Sequence, residues 1–179
     1  DNDDWQKSKD YLLDFEGLLI LDADALNRIS ESKLGPKFFL ERKFKTWITP
    51  HSKEFLRLFP HLKCKTNIGL ALKAAREFNI SVLLKGANSV VADNKNAWQL
   101  FGTDPQTARA GLGDLLSGFV AGCSAMDLTY SRNISTDFFA KYVLLHSFAA
   151  SICKSGSNAS AIGDELSKLM RNIKMRQIS

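Results

Sequence analysis

The run Ala108-Arg109-Ala110-Gly111-Leu112-Gly113-Asp114-Leu115-Leu116-Ser117-Gly118 puts small residues just ahead of an acid and an apolar, helix-like segment just after it. A glycine-rich turn that opens a helix points backbone N–H groups outward, and the helix dipole adds positive potential there, which favours phosphate. An aspartate at that mouth, Asp114, would stand beside bound phosphates and could take the proton of a hydroxyl about to attack phosphorus. Taken alone, the run equally suits a glycine-rich loop before a buried helix. Three further polar groups, Asp22-Ala23-Asp24, Pro50-His51 and Lys85-Gly86-Ala87, each follow a short apolar run. That is where a parallel strand would end and where ligands gather in open α/β sheets.

The elements that must carry these residues alternate. Trp5 to Phe15 has helical apolar spacing, Gly17 breaks it, and Leu18-Leu19-Ile20-Leu21 reads as a strand covered on both faces. Helices are expected near 25–30 and 37–43, then a strand Thr46 to Thr49, a short helix that Ser52 could cap, and a longer helix from Thr66 to Phe78. Ile80 to Leu84 gives a third buried strand. Ser89 to Ala92 and Ala97 to Phe101 flank the turn-like Asp93-Asn94-Lys95-Asn96, which predicts a hairpin at the sheet edge. From Leu112 onward the pattern is helical, over about 112–126, 136–154 and 160–173, with Ser155-Gly156-Ser157-Asn158 separating the last two. Strands alternating with helices, then a hairpin, then helices, indicate a three-layer α/β/α domain with a mainly parallel sheet.

Composition bounds what such a domain can do. The chain has 179 residues, 45% of them hydrophobic, and only four prolines, enough for one packed domain and without a disordered bias. Its net charge of +5 suits an anionic ligand but is spread too thinly to indicate nucleic acid. Cys64, Cys123 and Cys153 are odd in number and widely spaced, so neither a disulfide framework nor a zinc site is suggested, and a reducing cytoplasm fits. No segment approaches the roughly 20 apolar residues of a membrane span, and Asp1-Asn2-Asp3-Asp4 is the opposite of a signal-peptide start, so no membrane partner is expected.

Four motifs then occur in order: Leu21-Asp22-Ala23-Asp24-Ala25-Leu26-Asn27, Thr49-Pro50-His51-Ser52-Lys53-Glu54-Phe55, Leu84-Lys85-Gly86-Ala87 and Gly111-Leu112-Gly113-Asp114-Leu115-Leu116-Ser117-Gly118. Together, over about residues 15–170, the chain resembles the nucleotide-dependent NAD(P)H-hydrate dehydratases, metabolite-repair enzymes of the ribokinase-like superfamily. The resemblance implies a ribokinase-like domain that uses ADP or ATP with Mg2+ to restore hydrated NADH or NADPH, in the S form, to the reduced cofactor. The ring hydroxyl is phosphorylated and phosphate is then expelled, because hydroxide leaves poorly and phosphate leaves well. By position, the resemblance makes Asp114 the base on that hydroxyl, Gly111 and Gly113 part of the phosphate cradle, and His51 a contact to the hydrated dinucleotide. It assigns Lys85, Gly86, Ala87, Asn88 and Ser89 to the nucleotide's phosphate and ribose, and Asn27 to the substrate. Asp22, Asp24 and Asn27 suit magnesium-bound water or substrate, although Asp24 equally suits capping the helix near Ala25. His146, among Val143, Leu144, Leu145 and Phe148, reads as a satisfied core or pocket-wall histidine.

Departures from the family pattern leave two alternatives open. Ala110 and Leu112 stand where the family has a glycine and a small hydroxyl residue, while Lys53 and Arg109 add charge near the expected phosphates. The family domain also opens with roughly a hundred further residues, so this chain is expected to be the carboxy-terminal portion of one domain, completed by an upstream segment or a second chain that covers the exposed sheet edge. A homo-oligomer is expected. The alternatives are a vitamin or sugar kinase on the same scaffold, and a non-catalytic nucleotide-binding subunit.

Overall fold

The computed structural model describes residues 2–101, 111–131, 133–153 and 157–178. The chain divides into two compact units, Asp1–Gln99 and Leu100–Ser179.

The first unit is α/β. Helix α1 (Asn2–Asp14) precedes β1 (Leu19–Leu21), α2 (Ala23–Glu31), a 3-10 turn at Gly35–Lys37 and the short α3 (Phe38–Glu41). Strand β2 (Thr46–Ile48), α4 (Ser52–Leu58), α5 (Asn67–Phe78), β3 (Ser81–Leu84), β4 (Val90–Ala92) and β5 (Ala97–Gln99) follow. The strands form one sheet in the order β1-β2-β3-β4-β5. The first three are parallel, with Leu21 beside Ile48 and Ile48 beside Val82. The hairpin adds two antiparallel pairings and makes the sheet mixed, with β5 at its edge as expected. That hairpin is set locally: Asp93 Oδ1 accepts from the N–H groups of Lys95 (2.8 Å) and Asn96 (2.7 Å), an Asx turn of the kind that reverses a strand.

Continuous apolar runs become buried strands, with Trp47, Ile48, Val82 and Leu83 essentially inaccessible. Against Ile48 and Val82 pack Phe55, Phe59 and Phe78, Phe59 lying edge-on to Phe55 at 5.0 Å and stacked on Phe78 at 4.9 Å between ring centres. Two expected helix caps shift. Asp22, not Asp24, caps α2, which starts at Ala23 rather than Ala25. His51, not Ser52, caps α4, because Glu54 stands three residues on and closes a capping box. Thr66 caps α5 by accepting from Gly69 N–H at 3.1 Å, and Asn79 ends it with a left-handed φ of 52°.

The second unit is helical: α6 (Leu112–Tyr130), α7 (Thr136–Ile152) and α8 (Ala159–Ile178). Its core packs Ala149, Ala150, Ile162 and Leu166 against Leu112, Leu115 and Phe119. His146 is buried as expected, but it is not satisfied: its Nε2 has no hydrogen-bond partner among the described residues. Ala108, Arg109, Ala110 and part of the turn expected at 155–158 lie outside the described residues.

Candidate active site

In the first unit, the carboxyl ends of β1, β2 and β3 bring Asp22, His51 and Lys85 to one edge. His51 and Lys85 are bridge partners in parallel register, and Lys85 N–H donates to Pro50 C=O at 2.8 Å. Lys85 Nζ donates to Asp22 Oδ1 at 2.7 Å, with both side chains mostly buried. Asp22 Oδ1 also accepts from Ala23 N–H at 2.9 Å. Ala23 itself has φ +46°, a left-handed conformation that costs a non-glycine residue roughly 1–2 kcal/mol. Strain of this kind is held where surrounding contacts fix the backbone, here an acid clamped between a helix start and a lysine.

Beyond Lys85, the backbone turns at Gly86–Asn88, which are exposed. Ser89 Oγ accepts from Gly86 N–H (3.2 Å) and donates to Gly86 C=O (3.0 Å), closing the loop on itself. Among the described residues, no heavy atom comes within 4 Å of the position a Cβ would take at Gly86, so the backbone there is open to close approach. Asn27, on α2, is bound to its neighbour helix: its Oδ1 accepts from Arg57 Nη1 of α4.

His51 is fixed more firmly than a loop histidine. Its Nδ1 accepts from the N–H groups of Lys53 (3.1 Å) and Glu54 (3.3 Å), and its own N–H donates to Glu54 Oε2 at 2.8 Å. Nε2 lies 3.3 Å from Glu54 Oε1. Glu54 and Arg57 therefore contact the expected site residues His51 and Asn27, although neither was itself a candidate. The His-x-x-Glu spacing of a capping box was available for Glu54, whereas nothing local marked Arg57.

The second unit holds Gly111, Gly113 and Asp114 together at the start of α6. Gly111 caps this helix with φ +80°, and among the described residues no side chain caps it. Asp114 is exposed in that first turn and helps line a cavity of about 750 Å³ with Leu115, Phe119, Met126, Leu166 and Met170. Leu112 packs into the apolar cluster with α7 and α8, so the place of the family's hydroxyl is taken by a core contact. Among the described residues, no three or more His, Cys, Asp or Glu are grouped to hold a metal ion. No helix among them is long and apolar enough to cross a membrane.

The profile of the family described as NAD(P)H-hydrate dehydratase matches residues 1–173. The bifunctional NAD(P)H-hydrate repair enzyme of Synechocystis is 39% identical over 108 residues, 60% of this chain and 20% of that protein. The ADP-dependent (S)-NAD(P)H-hydrate dehydratase of Nitrosopumilus maritimus is 35% identical over 107 residues, 58% of this chain and 37% of its own length. This chain thus spans between about a fifth and two fifths of the length of the curated relatives it matches. Among solved structures, a ribokinase-like superfamily protein from Enterococcus faecalis superposes on 93% of the chain and 58% of its own, with a TM-score of 0.75 at 21% identity. The ADP/ATP-dependent NAD(P)H-hydrate dehydratase from Bacillus subtilis, co-crystallised with ATP/Mg2+, covers 93% of the chain and 59% of its own, with a TM-score of 0.70 at 22% identity. At these identities the structural likeness establishes a ribokinase-like fold.

Proposed function

The chain belongs to the NAD(P)H-hydrate dehydratase family, and on that premise we propose that residues 1–179 form the carboxy-terminal portion of a domain that repairs hydrated NADH or NADPH at the expense of ADP or ATP. The observation that carries this reading is the span of the family match, which takes in all four motifs rather than one glycine loop. Asp114 takes the proton of the ring hydroxyl, whose oxygen then attacks the terminal phosphorus of the nucleotide, breaking that phosphorus's bond to the bridging oxygen and releasing AMP from ADP or ADP from ATP. The ring nitrogen's lone pair expels phosphate, and loss of a proton from the neighbouring ring carbon restores the reduced nicotinamide. The first turn of α6, which has no side-chain cap among the described residues, is assigned with Gly111 and Gly113 to the nucleotide's phosphate as N–H donors, and Lys85 of the first unit is assigned to the nucleotide by its own motif. Gly86, Ala87, Asn88 and Ser89 follow the nucleotide, while His51 and Asn27 hold the dinucleotide.

Mg2+ binds through one or two carboxylates plus substrate phosphates rather than a protein cage, which fits a chain offering Asp22 and Asp24 but no larger ligand cluster among the described residues. When bound with the nucleotide, it neutralises phosphate charge. The site is proposed to work in the cytoplasm and in a homo-oligomer.

The test supplies this chain, joined to the upstream part of its domain, with hydrated NADH, Mg2+ and ADP or ATP, and follows absorbance of the reduced nicotinamide. Recovery of absorbance that Asp114→Asn abolishes, with nucleotide binding retained, is the expected result. A stable phosphorylated product instead identifies a small-molecule kinase. Nucleotide binding without turnover favours the non-catalytic subunit that Leu112 and Ala110 suggest, and both outcomes overturn the dehydratase.

A further inference from the structure

We infer that Glu54 is a positioning residue for His51, holding the imidazole as an N–H donor to an acceptor oxygen of the bound dinucleotide. The inference rests on the reading of His51 as a substrate contact given above. Glu54 is only 7% exposed, and each of its carboxylate oxygens faces a nitrogen of His51: Oε2 the backbone N–H at 2.8 Å, Oε1 the ring Nε2 at 3.3 Å. A capping box needs only the first of these contacts, and a glutamine there makes it as well. The second contact places a buried carboxylate beside the ring, an arrangement that helix capping does not require.

The ring's other nitrogen settles where the proton is. Nδ1 accepts from two helix N–H groups, those of Lys53 and Glu54, so it carries no hydrogen, and the neutral imidazole must carry its proton on Nε2. Nδ1 is thus held by the helix, while Nε2–H meets Glu54 Oε1 only as a 3.3 Å contact and half of the side chain stays exposed, which leaves that proton to a ligand oxygen. Turning the ring over would present Nδ1 to the carboxylate and leave two helix N–H groups unmatched. His51 is therefore set up to donate to a ligand, not to abstract a proton from it. Asp22 and Lys85 are paired with each other at the neighbouring strand ends, which leaves Glu54 as the acid facing the ring.

The test reads the ring directly. In the full chain, 15N spectra of the imidazoles, with His51 assigned through His51→Gln, are expected to show the Nε2–H tautomer. Glu54→Gln keeps an acceptor for the His51 N–H, so melting is expected to hold, while the His51 Nε2 signal shifts with loss of the carboxylate beside it and affinity for hydrated NADH falls about tenfold. Should Glu54→Gln fail to fold, Glu54→Asp is read by the same signals, with the charge kept and its reach shortened. Ring signals and affinity both unchanged in the folded variant overturn the inference, as does an altered ring with unaltered affinity when His51→Gln does weaken binding. If His51→Gln leaves dinucleotide affinity unchanged, it is the substrate-contact reading that fails, and the ring signals still decide whether Glu54 orients the imidazole.

Discussion

Lys85 Nζ lies 2.7 Å from Asp22 Oδ1, so one ion pair ties the end of β3 to the end of β1 across the end of β2. The two residues are 63 apart in sequence, yet the parallel order of the strands makes them neighbours. The pair does two jobs: it stiffens the strand ends, and it parks the ammonium beside the loop that starts at Gly86. Both side chains are mostly buried, so removing one charge leaves the other poorly solvated, at a cost of about 1–3 kcal/mol. Lys85→Met is therefore expected to lower ADP affinity at least tenfold, by calorimetric titration, and to lower the melting temperature. Unchanged affinity would remove Lys85 from the nucleotide site.

Arg42 is the opposite case, a cation whose role is structural. It is 5% exposed, its Nε donates to Thr46 Oγ1 at 3.0 Å, and its two other nitrogens donate to the backbone carbonyls of Leu12 and Gly17. Phe15 and Phe44 flank it at 5.7 and 5.9 Å. Burial pushes its pKa down, but the residue holds α1 to the start of β2 through donors that only a guanidinium presents together. Arg42→Met leaves buried carbonyls without donors and is expected to cost about 3 kcal/mol. By circular dichroism that is a fall in melting temperature of roughly 10 °C. Arg42→Lys is expected to recover little of it, and full recovery would show that charge alone matters.

How much of this was legible depends on the distance over which each signal acts. The hairpin at Asp93–Asn96 was readable because its turn chemistry and flanking strands sit within ten residues. The three parallel strands were readable as apolar runs followed by polar groups, since burial on both faces leaves no alternation. Helix starts were displaced by up to two residues because the favoured cap types, Ser52 and Asp24, stand beside the residues that cap. There the deciding fact was Glu54 for α4, and for α2 an acid, Asp22, that also meets Lys85. Arg57 beside Asn27 and Arg42 beneath α1 were not readable at all. Long-range contacts between side chains follow from the fold and leave no local pattern.

Gly111 and Gly118 separate backbone need from empty space within one helix. At Gly111 φ is +80°, so a side chain is strained even though the nearest atom to its Cβ would be 3.6 Å away. Gly118 lies inside α6 with ordinary helical conformation and nothing within 4 Å of the Cβ position. Gly111→Ala is expected to destabilise by about 1–2 kcal/mol, and Gly118→Ala to stabilise by roughly 0.5–1 kcal/mol. Urea denaturation of the two variants checks both signs, and equal effects would contradict the left-handed cap.

His146 sets the expected acid sensitivity of the helical unit. It is 7% exposed on α7, its Nε2 lacks a partner among the described residues, and burial lowers its pKa from 6.5 to about 4. As pH falls through 6.5, the unfolded chain binds a proton that the native ring does not, so stability declines. The decline stops near pH 4, where the native ring is protonated too. At ~1.36 kcal/mol per pH unit, the whole effect is roughly 3 kcal/mol. His146→Leu removes the titrating group and the unsatisfied nitrogen, so the variant is expected to gain on the parent steadily between pH 6.5 and 4, and to differ from it by no more than about 1 kcal/mol at pH 8. Urea unfolding across that range measures the difference directly. A variant that loses stability as steeply as the parent places the acid-sensitive group elsewhere, with Asp127, whose pKa burial raises, protonating in the native state before the unfolded one and so opposing that slope.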